Sequence, residues 1–204
     1  MIVAGFFGAF LFVALVVTDW VHFTSLGVQA SRYGCRVARR EDHLPYEVAT
    51  RRLQRFDKDG VLQLSHGIAR LFRDECRILL RPQYHLFARR FRTAWPLKAT
   101  IDLKRDGDGT TVLFIKRMPW SSAVLTIMWF VIVAVGTLGF LVAFAVEGGF
   151  ASLGGVLMGL GVTGLGLVVL VFGLIIVTLA YRLEDDRLTK AYQELRDVLA
   201  DGQR

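Results

Sequence analysis

The stretch GLGVTGLG, residues 159–166, decides the fold because it admits two incompatible interpretations. Its first six residues match G-x-G-x-x-G, the glycine pattern of dinucleotide-binding turns. Such a turn needs a strand before it, a helix that begins within it and an acidic residue about twenty positions later. Glu184 and Asp185 stand near that distance, but the span between them and the glycines is apolar and leads to a basic residue. The context excludes a phosphate-binding turn and predicts a membrane helix.

On a helix, the glycines of this segment fall on more than one face. One stripe contains the small-xxx-small pair Gly155 and Gly159, a spacing that lets two helix backbones approach closely in lipid. We expect it to pack against the preceding apolar segment through Gly136 and Gly139. Gly161 and Gly164 point elsewhere and predict a second close neighbour: the first helix, a partner protein or a flat ligand. The predicted helix-packing residues are Gly136, Gly139, Gly155, Gly159, Gly161, Gly164, Gly166 and Gly173.

Outside this stretch, the apolar residues are segregated along the chain. They make up 53% of the 204 residues, and residues 1–17, 121–146 and 148–181 carry no charge. Each run is close to the length that an α-helix needs to cross the hydrocarbon core of a bilayer. The first run lacks the basic start and the small-residue cleavage site of a signal peptide. We therefore predict three transmembrane helices, at 1–23, 121–147 and 150–181.

The basic residues predict the orientation in the membrane. Of the 25 Lys and Arg residues, 20 lie between Arg32 and Arg117, and the other five lie from Arg182 onward. By the positive-inside rule, the N-terminus is outside and both the central segment and the C-terminus are cytoplasmic. We expect the cell membrane, which is the inner membrane if the source is Gram-negative. The two cysteines, Cys35 and Cys76, would then stay reduced.

The central segment, residues 24–119, predicts a small cytoplasmic α+β domain. Apolar residues recur at helical spacing over about 45–56, and short β-branched runs follow over about 61–117. Alternation in LKATIDLK and the turn GDG indicate a hairpin, and hence an antiparallel sheet or partly closed barrel. Residues 182–204 predict an amphipathic tail helix with an apolar stripe of Leu188, Tyr192, Leu195 and Leu199. That stripe would pack on the protein's own domain or dock a partner helix.

The central domain carries 20 basic residues against ten acidic ones. Anionic lipid headgroups attract such charge, with an acidic protein as the second expectation and nucleic acid not expected, because no nucleic-acid-binding motif is present. Positive-inside topology alone also places arginine here, so part of the charge could be an orientation signal. The predicted contacts with anionic lipid or a partner are Arg36, Arg39, Arg40, Arg51, Arg52, Arg55, Arg89, Arg90 and Arg92.

Few residues in the sequence are candidates for ligand binding, metal binding or catalysis. His22 lies at the end of the first helix, with Asp19 one turn away on the same side. The pair could ligate a tetrapyrrole or form a polar collar where the helix leaves the bilayer, and we favour the collar. The histidines and cysteines lack metal-binding spacing, so we expect neither metal nor cofactor. Catalytic motifs are also missing from the sequence, which predicts that the protein is not an enzyme.

These features predict a non-catalytic accessory or scaffolding subunit of a larger membrane protein complex. Its contacts would be a glycine-rich transmembrane face and a basic, membrane-apposed cytoplasmic domain. The alternative is a membrane-tethered binding module whose small β domain recognises anionic lipid or a cytoplasmic ligand. On either hypothesis the expected partners are membrane lipids and other integral membrane proteins.

Overall fold

The computed structural model describes residues 2–44, 55–83, 93–106 and 109–200. The chain divides into two compact units. The sheet unit comprises Met1–Ser122 and Leu183–Arg204, and the hairpin unit comprises Ala123–Arg182. The helices are α1 (Ile2–Thr24), α2 (Val28–Arg32), α3 (Trp120–Val146) and α4 (Leu153–Ala200), with a 3₁₀ turn at Gly149–Ala151. The strands are β1 (Cys35–Leu44), β2 (Val61–Gln63), β3 (Gly67–Phe72), β4 (Arg77–Pro82), β5 (Lys98–Asp106) and β6 (Gly109–Met118).

Three of these helices are long and apolar enough to cross a membrane: α1 over Gly5–Thr24, α3 and α4. The segments predicted as a third helix, 150–181, and a tail helix, 182–204, share one helix, because α4 runs unbroken for 48 residues. No glycine or proline interrupts residues 174–200, and ion pairs from Arg187 to Glu184 and from Lys190 to Asp186 support the polar end. At about 1.5 Å per residue, α4 is more than twice as long as a bilayer core is thick.

In the hairpin unit, α4 packs against α3 through part of the predicted glycine stripe. A Cβ placed at Gly166 would lie 2.6 Å from Thr137 Oγ1, and one at Gly173 would overlap the Trp129 ring. Gly155 and Gly159 lie instead against Gly149 and Phe150 of the connection. Glycine at positions 166 and 173 therefore permits the close approach of the two helices.

The expected counterpart on α3 was wrong. Nothing in the described part of the chain lies within 4 Å of a Cβ built at Gly136 or Gly139. The glycines of α4 leave a groove on the helix surface, and the larger side chains of Thr137 and Trp129 on α3 fill it.

The predicted antiparallel sheet is confirmed and has six strands in the order β1-β6-β5-β4-β3-β2. β5 and β6 form the predicted hairpin, with Lys98 opposite Arg117 and Asp106 opposite Gly109. No sequence pattern indicated β1, which pairs with β6 at one edge of the sheet. Its register shifts between Arg36 and Ala38, so the apolar alternation that identifies a strand is lost there.

Residues 183–200 of α4 cover one face of the sheet, which we call the tail face. Of the predicted apolar stripe, Leu188, Leu195 and Leu199 are buried and Tyr192 is partly buried, and Ala191 beside them is buried too. The rings of Tyr192 and Phe114 have centroids 4.7 Å apart. A Cβ at Gly67 would lie 2.9 Å from Ala191 Cβ, so glycine lets the helix reach the strand. The tail packs on the protein's own domain, which is one of the two predicted alternatives.

The opposite face, which we call the linker face, is covered by residues 23–34. These residues comprise the end of α1, all of α2 and the segments around it. Thr100 Oγ1 donates to the Ser31 carbonyl oxygen at 2.8 Å, and Lys98 Nζ donates to that of Ala30 at 2.6 Å. The sheet is thus enclosed between two segments that continue into long apolar helices.

Two further predictions fall on residues outside the described ranges. Most of the predicted helix at about 45–56 lies in residues 45–54, and part of the stretch predicted to form strands, about 61–117, lies in residues 84–92 and 107–108.

Candidate functional site

The end of α1 carries a polar junction centred on Asp19. One carboxylate oxygen accepts a hydrogen bond from Tyr33 Oη. The other accepts from the backbone N–H of Ser121 at 2.9 Å and from its hydroxyl at 2.5 Å. Ser121 lies in the first turn of α3, whose N–H groups have no partner within the helix and favour a negative charge. Asp19 therefore ties the end of α1 to the start of α3.

Asp19 and His22 form no hydrogen bond with each other among those of the described residues. The His22 ring packs edge-on against Tyr33, with centroids 4.5 Å apart. The hydrogen bond to Asp19 raises the pKa of Tyr33 to about 12, so the phenol stays a donor at neutral pH. Asp19, His22 and Tyr33 thus form one polar cluster at the end of α1.

Basic side chains from three adjacent strands converge on backbone carbonyls at the end of α1 and just after it. Arg70 of β3 donates to the Leu26 carbonyl oxygen at 2.8 Å, and Arg81 of β4 donates to that of Thr24. Lys98 of β5 donates to that of Phe23 at 2.9 Å. A helix C-terminus carries a partial negative charge and carbonyls without helical partners, so cations stabilise it. Part of the basic charge of the domain thus has a structural use.

Lys98 is the most deeply buried of these cations, with only 2% of its surface exposed. Its Nζ donates to the carbonyl oxygens of Phe23 and Ala30 and lies 4.0 Å from the centroid of the Phe23 ring. Burial, together with the nearby charge of Arg117, lowers the pKa of Lys98 to about 7. The ammonium is held by carbonyl dipoles and a ring face, without an ion pair to any carboxylate of the described residues.

The arginines predicted to form a basic surface are dispersed. Arg36 lies opposite Arg117 and Arg39 lies opposite Ile115, which places both on the linker face. Arg40 lies opposite Phe114 and therefore points to the tail face. All three are exposed, and Arg39 is paired with Glu41 at 2.6 Å. The bulge divides the cluster, so RVARR does not form a single patch.

Of the remaining predicted contact arginines, Arg55 donates to the Val198 carbonyl oxygen of the tail at 3.0 Å. The others, Arg51, Arg52, Arg89, Arg90 and Arg92, lie outside the described residues.

A second polar cluster, which the sequence did not predict, joins the tail to the turn between β2 and β3. One oxygen of Glu194 accepts from the backbone N–H of Ser65 at 2.6 Å and from its hydroxyl at 2.7 Å. The other accepts from the His66 N–H at 3.0 Å and lies 3.1 Å from His66 Nδ1. The carboxylate lies between serine and histidine, so the imidazole does not contact the hydroxyl as a general base would. The cluster holds the tail helix against the turn between β2 and β3, and it does not have the arrangement of a catalytic triad.

The tail also anchors to the edge strand β1. Tyr192 Oη donates to Asp42 at 3.1 Å, and Arg196 lies 3.6 Å from the same carboxylate. Beside this contact is an apolar pocket of about 10 Å³, lined in part by Ile101, Val112 and Leu195. A pocket of that size holds one water molecule at most, so it offers no space for a small-molecule ligand.

In the hairpin unit, the remaining predicted packing glycines have open surroundings. Nothing described lies within 4 Å of a Cβ built at Gly161 or Gly164 of α4, as for Gly136 and Gly139 of α3. At about 100° per residue, Gly161 and Gly164 lie well over 90° around the helix from Gly166 and Gly173. The glycines of α4 therefore occupy one face that packs and another that is bare.

Among the described residues, no group of three or more His, Cys, Asp or Glu side chains is placed to hold a metal ion. The chain matches no protein-family model, no curated protein and no solved structure at a significant level. A function for this protein therefore has to be inferred from the geometry of the chain itself.

Proposed function

We propose that this protein is a non-catalytic accessory or scaffolding subunit of a larger membrane protein complex. The observation that carries the proposal is the set of bare glycines on α3 and α4: Gly136, Gly139, Gly161 and Gly164. Each costs a helix about 1 kcal/mol relative to alanine. In lipid, small residues are enriched where another helix packs closely. No part of the described chain occupies the space beside these glycines, so a helix of another protein can pack closely there.

The proposed topology places the N-terminus outside and both the sheet unit and the C-terminus in the cytoplasm. It rests on the distribution of Lys and Arg, which are confined to residues 32–117 and 182–204. The membrane would be the cell membrane, which in a Gram-negative source is the inner membrane. In this arrangement the helical hairpin meets partner helices within the bilayer.

Co-purification tests the proposal. The tagged full-length chain is extracted from its native membranes in a mild detergent, and the mass and composition of the particle are determined. We expect a particle heavier than the 22.9 kDa chain that contains at least one other membrane protein. A monodisperse monomer without a second protein would contradict the proposal.

Two double variants locate the contact on α4. Replacing Gly161 and Gly164 by leucine should release the partner, because the larger side chains prevent close approach of the helices. The matched alanine variant, Gly161→Ala with Gly164→Ala, keeps both positions small and should retain it. Since neither glycine contacts a described residue, both variants should keep the thermal stability of the parent chain. Retention of the partner in both variants would remove these glycines from the interface.

A further inference from the structure

Three cations lie side by side across the linker face of the sheet. Arg36 of β1 is opposite Arg117 of β6, and Arg117 is opposite Lys98 of β5. Like charges at directly opposed positions of an antiparallel pair destabilise it. We call Arg36, Arg117 and Lys98 the cation row.

The carboxylates of Asp102 and Glu75 lie near the cation row, but both pair with Arg77, which is not a member of the row. Arg77 donates to Asp102 at 2.6 Å and also binds Glu75, and Glu75 lies 3.6 Å from Arg32. Within the described ranges, no member of the cation row forms an ion pair with a carboxylate. The row therefore retains a net positive charge.

Arg117 is the centre of the row and is incompletely bonded. Its residue is 6% exposed, and one terminal nitrogen donates to the Gly34 carbonyl oxygen at 3.2 Å. Its Nε is buried and has no hydrogen-bond partner among the described residues. Burial and the charge of Arg36 lower the pKa of Arg117. A buried guanidinium with an unmet donor and cationic neighbours is costly unless an anion approaches it.

The position of the row indicates which anion is available. β6 ends at Met118 and α3 begins at Trp120, so Arg117 lies three residues before a long apolar helix that starts with tryptophan. Tryptophan at the end of such a helix is typical of the headgroup level of a membrane. Arg36 is exposed, which leaves the edge of the sheet open to a group that approaches from this level.

We infer that Arg36 and Arg117, with Lys98 behind them, form a binding site for a phosphate group, supplied by the headgroup of an anionic lipid. Arginine suits this ligand because its planar guanidinium donates two parallel hydrogen bonds to phosphate oxygens. The bound anion neutralises the row and ties the end of the sheet to the membrane surface. The site does not depend on the proposed complex, and only the source of the phosphate depends on α3 crossing the membrane.

Charge reversal at Arg36 tests the site in the full-length chain. The protein is reconstituted in discs of phosphatidylcholine, alone or mixed with phosphatidylglycerol, and its thermal midpoint is measured. We expect phosphatidylglycerol to raise the midpoint of the parent chain by roughly 5 °C, as for a ligand well above its Kd. Arg36→Glu should remove this rise and yet match or exceed the parent in phosphatidylcholine alone, because a carboxylate opposite Arg117 relieves the repulsion. If Arg36 had only a structural role, its replacement would lower the midpoint in phosphatidylcholine as well, and would not selectively remove the rise with phosphatidylglycerol.

Arg40→Glu is the matched control, because Arg40 is an exposed arginine of the same strand on the opposite face. It should keep the rise with phosphatidylglycerol. Inorganic phosphate added to phosphatidylcholine discs separates the two sources: a rise in the parent but not in Arg36→Glu would support the phosphate site and assign it to a soluble ligand. An equal rise in Arg36→Glu and Arg40→Glu, or no rise with either ligand in the parent chain, would overturn the inference.

Discussion

Lys98 combines a formal charge with nearly complete burial, and this combination predicts a pH dependence. Its folded-state pKa of about 7 is below the ordinary value of 10.5. Between these values the unfolded chain keeps a proton that the folded chain has released, so the free energy of unfolding rises with pH. The contribution of one group is at most about 1.4 kcal/mol per pH unit. Unfolding measured across this window should show the rise in the parent chain and lose it in Lys98→Met.

Lys104→Met is the control for that prediction, because Lys104 is an exposed lysine of the same strand. It should keep the slope of the parent chain. An unchanged slope in Lys98→Met would show that other groups cause the pH dependence.

Glu194 predicts a pH dependence of the same sign, but in the acid range. Burial raises the pKa of this carboxylate, but hydrogen bonds from Ser65 and His66 outweigh burial and lower it to about 2 from 4.5. The stabilisation is therefore complete above about pH 4.5 and is lost as the pH falls toward 2. Glu194→Gln should lower the free energy of unfolding at pH 7 by about 1–3 kcal/mol and flatten the acid limb. Denaturant titrations at several pH values would measure both effects.

The comparison variant for Glu194 is Asp186→Asn, since Asp186 lies on the same helix and is 63% exposed. Its effect should be small at every pH, as is usual for an exposed ion pair. Equal losses in the two variants would contradict the role of the cluster. The sequence could not indicate this cluster, because Glu194 lies 129 residues from Ser65 and no local pattern joins them.

Among the elements, the hairpin of α3 and α4 predicts different outcomes for glycines of the same helix. Gly166→Leu inserts a side chain whose Cβ would lie 2.6 Å from Thr137 Oγ1, so the helices must separate. Overpacking of this kind costs typically about 1–3 kcal/mol. Gly161→Leu meets open space and should leave the thermal midpoint unchanged or slightly higher, because leucine favours the helix. Thermal unfolding in detergent compares the two, and equal destabilisation would contradict the assigned helix faces.

Local patterns suffice to predict some elements and not others. Uncharged runs identify the three long helices, and strict alternation identifies β5. β1 escapes prediction because charged residues occupy both of its faces and its bulge shifts the alternation between Arg36 and Ala38. The unbroken α4 was not predicted because the composition changes from apolar to charged at Arg182. That change does not interrupt the backbone hydrogen bonds.

At the scale of the whole molecule, the two covers of the sheet connect it to long apolar helices. Residues 23–34 on the linker face continue from α1, and residues 183–200 on the tail face belong to α4. The sequence predicts that both helices cross a membrane, but it does not show that basic residues fasten the sheet to the end of α1. In the sequence, Arg70, Arg81 and Lys98 cannot be told from the other basic residues, and only the fold places them on carbonyl oxygens.

The proposed topology is tested by the two native cysteines. Cys76 is exposed in the turn between β3 and β4, so Cys35→Ser leaves one accessible thiol in the sheet unit. A membrane-impermeant maleimide should label Cys76 in inverted vesicles and not in intact cells. In a Cys35→Ser, Cys76→Ser background, Glu147→Cys places a thiol in the exposed connection between α3 and α4 and should show the reverse. Labelling of Cys76 in intact cells would show that the orientation is the reverse of the proposed one. The sheet unit with its cation row would then face the outer leaflet.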